Sequence, residues 1–166
     1  MQKNIIRVDE ENNEILENMS EECYVLNADL GADFCRKFVA KAAESERIVL
    51  FYGENAVNQA KAYGADGVVL DLGAEDVKDK LVAVRKTLGK GCIVGLFTRN
   101  RRHESMLVSE AEPDFVIFKV WKDGFESVKE LTDWYADFFL IQSAAWVMEE
   151  GVDAAELRTD FVIKNV

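Results

Sequence analysis

The sequence predicts a compact (β/α)₈ barrel formed by a single domain over residues 1–166. Eight short apolar runs, rich in β-branched and aromatic residues, recur about 19 to 25 residues apart. Apolar runs without polar alternation are typical of parallel strands that are covered on both faces. The predicted strands are residues 4–8, 23–27, 47–52, 67–71, 92–97, 115–119, 138–142 and 161–164.

Several segments between these runs have the spacing of an amphipathic helix. Apolar side chains three, four or seven residues apart lie on one helical face and can pack against a sheet. Asp33 can cap one such helix, and Gly89 and Gly151 are suited to ending two others. The apolar positions are Phe34, Phe38 and Val39; Val77, Leu81, Val84 and Leu88; and Phe125, Val128, Leu131 and Tyr135. Shorter helices are predicted over residues 10–19 and 144–150.

A repeat of aspartates supports the prediction of a barrel of alternating strands and helices. Asp66, Asp114, Asp137 and Asp160 each directly precede an apolar run. A repeat of one strand and one helix is typical of barrels and solenoids. Because barrel enzymes bind substrates at the opposite ends of their strands, we expect the four aspartates to be structural.

The chain is short for such a barrel. It has 166 residues, and the last predicted strand lies at its end, so we expect the usual final helix to be missing. An open, doubly wound parallel sheet is the alternative fold.

Composition argues against several classes of partner. The chain has 31 acidic and 20 basic side chains and a net charge of −11. Nucleic acids and anionic membranes require a cationic surface, so neither is expected as a partner. We find no apolar run of membrane-spanning length and no secretory signal pattern. Three cysteines without a Cys-X-X-Cys pair favour the reducing cytoplasm.

Two strand entries resemble those of the thiamine phosphate synthase and thiazole tautomerase family. Gly64-Ala65-Asp66-Gly67-Val68 resembles the entry to that family's fourth barrel strand. Glu112-Pro113-Asp114-Phe115-Val116 resembles the entry to its sixth strand, and the similarity extends over residues 47–166. The resemblance implies a barrel, a phosphorylated ligand and a possible Mg²⁺ ion.

The functional residues of that family are mostly replaced. Glu54 and Asn55 stand at the position of its Asn-Asp pair, and Arg99 stands near the position of a histidine. Gln142-Ser143-Ala144-Ala145 replaces a Gly-Gly pair that binds phosphate, and a Cβ atom there would obstruct close approach to the backbone. The resemblance therefore implies a non-classical member that binds a phosphorylated or anionic small molecule, with or without the parent activity.

The segment after the fifth predicted strand is unusually basic. It contains Thr98, Arg99, Arg101, Arg102 and His103, the only histidine of an acidic chain. Arginine side chains and the N-terminus of a helix both favour phosphate and carboxylate groups. We expect an anion site formed by the threonine and the arginines, with His103 as a catalytic candidate. The alternative is a solvated turn that pairs with the acidic surface.

Lys119 ends the sixth predicted strand within an apolar run. A lysine that is removed from water can form a Schiff base with a carbonyl substrate. Class I aldolases of the small barrel type carry their lysine at the end of the sixth strand, and Phe118-Lys119-Val120-Trp121 is faintly similar to that motif. A Schiff-base lyase is thus one alternative function. In the other interpretation the Lys119 stem packs on Trp121 while its ammonium reaches water.

Carboxylates are predicted near the ends of the third and fourth strands. Glu54, Asp71 and Asp76 would provide the oxygen ligands that Mg²⁺ prefers. Chance proximity is the competing explanation, because the chain has 31 carboxylates.

A non-enzymatic function is the remaining alternative. Trp134, Tyr135 and Trp146 are expected to be exposed on late helices. An apolar surface of that kind would suit a homo-oligomer, as in a scaffold or regulatory pseudoenzyme that acts through protein contacts.

Overall fold

Residues 2–166, which the computed structural model describes, form a closed barrel of eight parallel strands. Each strand pairs with the next, and β8 pairs with β1 to close the barrel. The predicted (β/α)₈ architecture, the TIM barrel, is confirmed, and the open sheet is excluded. The strands are β1 Lys3–Val8, β2 Cys23–Asn27, β3 Ile48–Tyr52, β4 Gly67–Leu70, β5 Ile93–Phe97, β6 Phe115–Val120, β7 Gln142–Val147 and β8 Phe161–Asn165.

Helices surround the barrel, and short connections explain how eight strands fit into so few residues. The β1–β2 connection holds a five-residue helix, and the β7–β8 connection holds only the 3₁₀ turn Ala154–Glu156. The helices are α1 Asn13–Glu17, α2 Ala32–Glu44, α3 Ala56–Tyr63, α4 Val77–Leu88, α5 Arg102–Glu110 and α6 Phe125–Phe138. None of the helices within residues 2–166 has the length and apolarity needed to cross a membrane.

Two apolar cores hold the fold together. The outer core lies between the strands and the helices and includes the fully buried Phe38, Leu81 and Phe118. The inner core fills the barrel with inward-facing side chains such as Leu50 and Ile117. These side chains fill the barrel interior, which is therefore a packed core and not a pore.

The seventh strand is not where the sequence predicts it. The predicted strand over residues 138–142 is wrong, because α6 extends to Phe138 and a loop follows. Two apolar side chains of this run are exposed, with Leu140 103% and Phe138 72% accessible, whereas Phe139 and Ile141 pack partly against the outer core. The predicted helix over residues 144–150 is wrong as well. Ala144 and Ala145 favour helices intrinsically, but their small side chains are fully buried in β7.

Three of the four repeated aspartates have the structural role that we expected. Each accepts a hydrogen bond from a main-chain N–H of the preceding strand, and its own N–H donates to the carbonyl of that same residue. Asp137 differs, because it lies in α6 and pairs with Arg158. We call these three contacts aspartate clamps. They join the carboxylates of Asp66, Asp114 and Asp160 to the main-chain nitrogens of Val49, Val94 and Ser143, at 2.9, 2.7 and 2.9 Å.

Candidate functional site

A cavity of about 590 Å³ opens at the C-terminal ends of the strands, where barrel enzymes bind their substrates. Its lining includes the side chains of Tyr52, Asp71, Phe97, Lys119 and Trp146, which come from five different strands or strand ends. Because these residues are far apart in sequence, only closure of the barrel brings them together. We call this cavity the mouth.

One wall of the mouth is aromatic. The rings of Phe97 and Tyr52 both meet Trp146 edge to face, with centroids 5.1 and 5.2 Å away. The half-buried Lys119 places Nζ 5.1 Å from the centroid of Phe97, a distance typical of a cation–π contact. No ion pair or side-chain hydrogen bond within residues 2–166 involves this ammonium group. Lys119 thus presents its amino group to the mouth without a carboxylate partner.

A second group of polar residues joins β1, β3 and β8. Arg7 Nε donates to Asp9 Oδ2 at 2.9 Å, and its Nη1 donates to the Val147 carbonyl oxygen at 2.8 Å. Asp9 also accepts hydrogen bonds from Tyr52 Oη and from Asn165 Nδ2. Burial, followed by the hydrogen bond to the Asp9 carboxylate, raises the pKa of Tyr52 above its ordinary value. Tyr52 therefore stays protonated at neutral pH.

The sequence analysis missed Arg7 and Tyr52. Arg7 lies within the first apolar run, and the guanidinium group lies 4.9 Å from the centroid of Trp146. Successive side chains of a strand point to opposite faces of the sheet, so residues two apart share a face. Because Ile5 and Leu50 face the barrel interior, this rule places Arg7 and Tyr52 on the inner face as well.

Arg99 reaches the rim of the mouth. Its Nε lies 3.0 Å from Asp71 Oδ1, and both side chains are about half exposed, at 53% and 49%. The guanidinium group lies against Gly73, where an added Cβ would be 3.2 Å from Arg99 Nη2. Arg99 is the one member of the basic segment that approaches the cavity lining.

The other members of the predicted anion site lie elsewhere. The Thr98 side chain is fully buried, and its Oγ1 donates to the Ile117 carbonyl oxygen. Arg101 pairs with Glu104, while Arg102 stacks on Trp134 at 5.1 Å. His103 is exposed in the first turn of α5. The combined site is therefore not formed, because the chain turns outward after Arg99 and begins a helix on the outer surface.

The predicted magnesium ligands do not form a cluster. Glu54 and Asp71 line the mouth, but the Asp71 carboxylate pairs with Arg99. Asp76 is exposed at the start of α4 and is absent from the cavity lining. Within residues 2–166, no group of three or more His, Cys, Asp or Glu side chains is arranged to hold a metal ion. Mg²⁺ binding stays a prediction.

The residues predicted to form an exposed aromatic surface are buried or partly buried, so that prediction is wrong. Tyr135 and Trp146 are only 1% and 5% accessible, because Tyr135 packs on Phe118 and Trp146 lies inside the barrel. Trp134 is partly buried beneath Arg102. The homo-oligomer stays a prediction.

Comparisons with known proteins establish the fold of this chain but not its family. No family model and no curated protein matches the sequence. An HpcH/HpaI aldolase from Desulfitobacterium hafniense is similar in structure, with a TM-score of 0.68 and 10% identity over 99% of this chain and 86% of that one. Orotidine 5′-monophosphate decarboxylase from Methanocaldococcus jannaschii has a TM-score of 0.67 and 12% identity over 99% and 88% of the two chains. KGPDC from Streptococcus mutans has a TM-score of 0.62 and 10% identity over 98% and 87%. These similarities show the TIM-barrel fold; they do not show the thiamine phosphate synthase family.

Proposed function

We propose that this protein is a lyase of the Schiff-base type that acts on a small keto acid or a phosphorylated carbonyl compound. The observation that carries the proposal is the position of Lys119, whose amine faces the mouth from the end of β6 without a carboxylate partner. The aldolase and decarboxylase names of similar structures are consistent with it.

The environment of Lys119 suits an attack on a carbonyl group. A nucleophilic amine must be neutral, and a nearby carboxylate would hold its proton in place. The neutral nitrogen bonds to the carbonyl carbon, and the carbonyl oxygen leaves as water after taking up protons. The resulting iminium group accepts the electron pair of the bond between its α- and β-carbons, so this bond breaks and an enamine forms. The β-hydroxyl group loses its proton to solvent and becomes a carbonyl group, and the enamine is then protonated and hydrolysed by water. The rings of Phe97 and Trp146 give the mouth an apolar wall beside the amine.

Arg99 provides recognition of the acidic group of the substrate. Its pair with Asp71 is half exposed, and such pairs contribute little to stability. A substrate carboxylate or phosphate can therefore replace Asp71 on the guanidinium fork. Tyr52, whose proton is donated to Asp9, presents its oxygen as a hydrogen-bond acceptor for a substrate hydroxyl.

The proposed substrate is an anionic small molecule, as the family resemblance implies, but the proposed reaction is not thiamine phosphate synthesis. Residues 142–145, which stand where the resembled family has its phosphate-binding Gly-Gly pair, form most of β7. The carbonyl of Ser143 accepts a hydrogen bond from Asp160 N–H near the N-terminal end of the barrel. These residues lie away from the mouth.

Binding is tested by a thermal-shift series with pyruvate, glyceraldehyde phosphate and pyrophosphate, with sulfate at matched ionic strength. A ligand at 100 times its Kd stabilises by about 2.7 kcal/mol, which is several degrees for a chain of this length. Arg99→Ala should lose the shift. Arg101→Ala is the matched control, since Arg101 pairs with Glu104 on α5, and it should retain the shift.

The covalent step is tested by reduction with borohydride in the presence of each carbonyl compound. Intact mass should increase by one reduced adduct in the native protein and in Lys122→Met, since Lys122 lies outside the lining of the mouth. Lys119→Met should form none. A shift without an adduct would reduce the function to anion binding, and neither a shift nor an adduct would favour a barrel without catalytic activity.

A further inference from the structure

Asn100 binds the backbone of Lys119 through its side chain. Asn100 Nδ2 donates to the Lys119 carbonyl oxygen at 2.7 Å, and Lys119 N–H donates to Asn100 Oδ1 at 3.0 Å. Both backbone polar groups of one residue are thus held by a single carboxamide. We infer that Asn100 is a positioning residue for the proposed reaction, acting through Lys119; this inference rests on the proposed function.

The carboxamide continues the sheet where the main chain leaves it. Strands β5 and β6 pair in parallel up to Phe97 and Ile117, and Thr98 N–H then donates to the Ile117 carbonyl oxygen. In a regular ladder, the next backbone groups of β5 would bind both polar groups of Lys119. The side chain of Asn100 takes their place. It therefore holds the end of β6 at the register of Lys119 although β5 has already ended.

The turn that carries Asn100 is strained. Arg99 and Asn100 have consecutive left-handed backbone angles, with φ of 56° and 55°. Such angles are unfavourable for residues other than glycine, and asparagine is among those that adopt them most readily. The buried Thr98 stabilises the turn, because its Oγ1 accepts a hydrogen bond from Asn100 N–H at 3.2 Å. Strain that the surrounding structure maintains is concentrated at functional sites.

One turn therefore sets the positions of both basic side chains at the mouth. Asn100 fixes the backbone of Lys119, and the neighbouring Arg99 extends to Asp71 at the rim. The distance between the amine that attacks the carbonyl and the guanidinium group that binds the acidic group then depends on this turn. A substrate whose two groups match that distance would be selected.

The first test compares Asn100→Ala with Asn12→Ala in the borohydride reaction. Asn12 also binds two backbone N–H groups, at the start of α1, so its substitution removes hydrogen bonds of the same kind away from the mouth. In Asn100→Ala the maximal trapping rate should fall about tenfold, since small displacements of a reacting group have effects of at least this size. The half-saturating concentration should change much less. Asn100→Asp keeps the acceptor for Lys119 N–H and should restore part of the rate.

A second readout needs no carbonyl compound. Trace acetylation with acetic anhydride, followed by peptide mass spectrometry, gives the reactivity of Lys119 relative to Lys122 in the same molecule. This ratio should change more than about twofold in Asn100→Ala and stay constant in Asn12→Ala, because only the first variant releases the end of β6. Asn100→Gly, which relieves the left-handed strain and also lacks the carboxamide, serves if Asn100→Ala does not fold.

The two readouts separate the two proposals. If the native protein traps no carbonyl compound but the acetylation ratio responds to Asn100, the proposed lyase is wrong and the positioning of Lys119 is supported. If the native protein does trap and both Asn100→Ala and Asn100→Gly keep the native rate and the native ratio, the positioning role is overturned.

Discussion

The two ends of the barrel use aspartate in different ways. At the N-terminal end, Asp66, Asp114 and Asp160 each accept a main-chain N–H of a neighbouring strand. At the C-terminal end, Asp9 accepts hydrogen bonds from three side chains, and Asp71 pairs with one arginine. The first arrangement ties the sheet together, whereas the second orients groups that face a cavity.

This difference separates stability from chemistry within one small fold. A main-chain N–H has no alternative partner once it is buried, so an aspartate that binds it is fixed. A half-exposed arginine can exchange its carboxylate for a ligand. We therefore expect substitutions at the N-terminal end to change the free energy of unfolding, and substitutions at the mouth to change binding and reactivity.

The largest expected effect is on packing at the N-terminal end. A methyl group in Gly67→Ala would lie 1.9 Å from the main-chain oxygen of Ile93, which cannot move aside without distorting the sheet. The loss in the free energy of unfolding should be about 3 kcal/mol, measured by urea denaturation. Gly91→Ala is the control, because its methyl group would contact nothing within 4 Å. Equal stability of the two variants would contradict the tight strand entry described here.

Loss of an aspartate clamp should lower the free energy of unfolding somewhat less than Gly67→Ala does. Asp114→Ala leaves the N–H of the fully buried Val94 without its side-chain acceptor, at a cost of about 2 kcal/mol. Asp137→Ala removes only an exposed pair with Arg158, and should cost less than about 0.5 kcal/mol. Thermal and urea denaturation of the two variants measure the difference. Similar losses in the free energy of unfolding would show that a clamp stabilises the fold no more than an exposed ion pair does.

At the mouth the expected change is in binding. Asp71→Asn removes the charge that pairs with Arg99, so sulfate and phosphate should bind about two to five times more tightly, while the free energy of unfolding stays within about 0.5 kcal/mol. Titration followed by thermal shift measures both quantities. Weaker anion binding in this variant would argue that Arg99 is not the recognition group.

The smallest effect concerns pH. Burial, with a further contribution from the Asp66 carboxylate, raises the pKa of the Cys23 thiol from 9.0 to about 12. The unfolded chain releases this proton at lower pH than the folded protein, so stability is fully present below pH 9.0 and falls as the pH rises toward about 12. Cys23→Ala should make that fall shallower in urea denaturation at several pH values. Identical pH dependence in both proteins would show that the surroundings of Cys23 do not raise the pKa of its thiol.

The sequence predicted the N-terminal end better than the mouth, for a physical reason. The clamp aspartates directly precede their strands, so a local pattern reveals them. The polar group around Asp9 joins residues more than 150 positions apart, and no local pattern connects Arg7 with Asn165. Lys119 lies in the mouth as expected, because the end of a strand is set by the strand itself.

The errors arose where a local preference was overridden by the tertiary structure. The run from Phe138 to Ile141 has the composition of a strand but forms the end of α6 and a loop. The small residues of β7 suit the crowded interior of the barrel rather than a helix. The basic segment was interpreted as one site, but the strained turn at Arg99 and Asn100 directs its later members to the outer surface.

The most direct test of the central claim is the location of the adduct after borohydride reduction with pyruvate or a sugar phosphate, mapped by peptide mass spectrometry. The proposed reaction predicts one reduced adduct, on Lys119, at concentrations where other lysines are unmodified. An adduct distributed over exposed lysines, or one that persists in Lys119→Met, would contradict a reactive lysine at the mouth of this barrel.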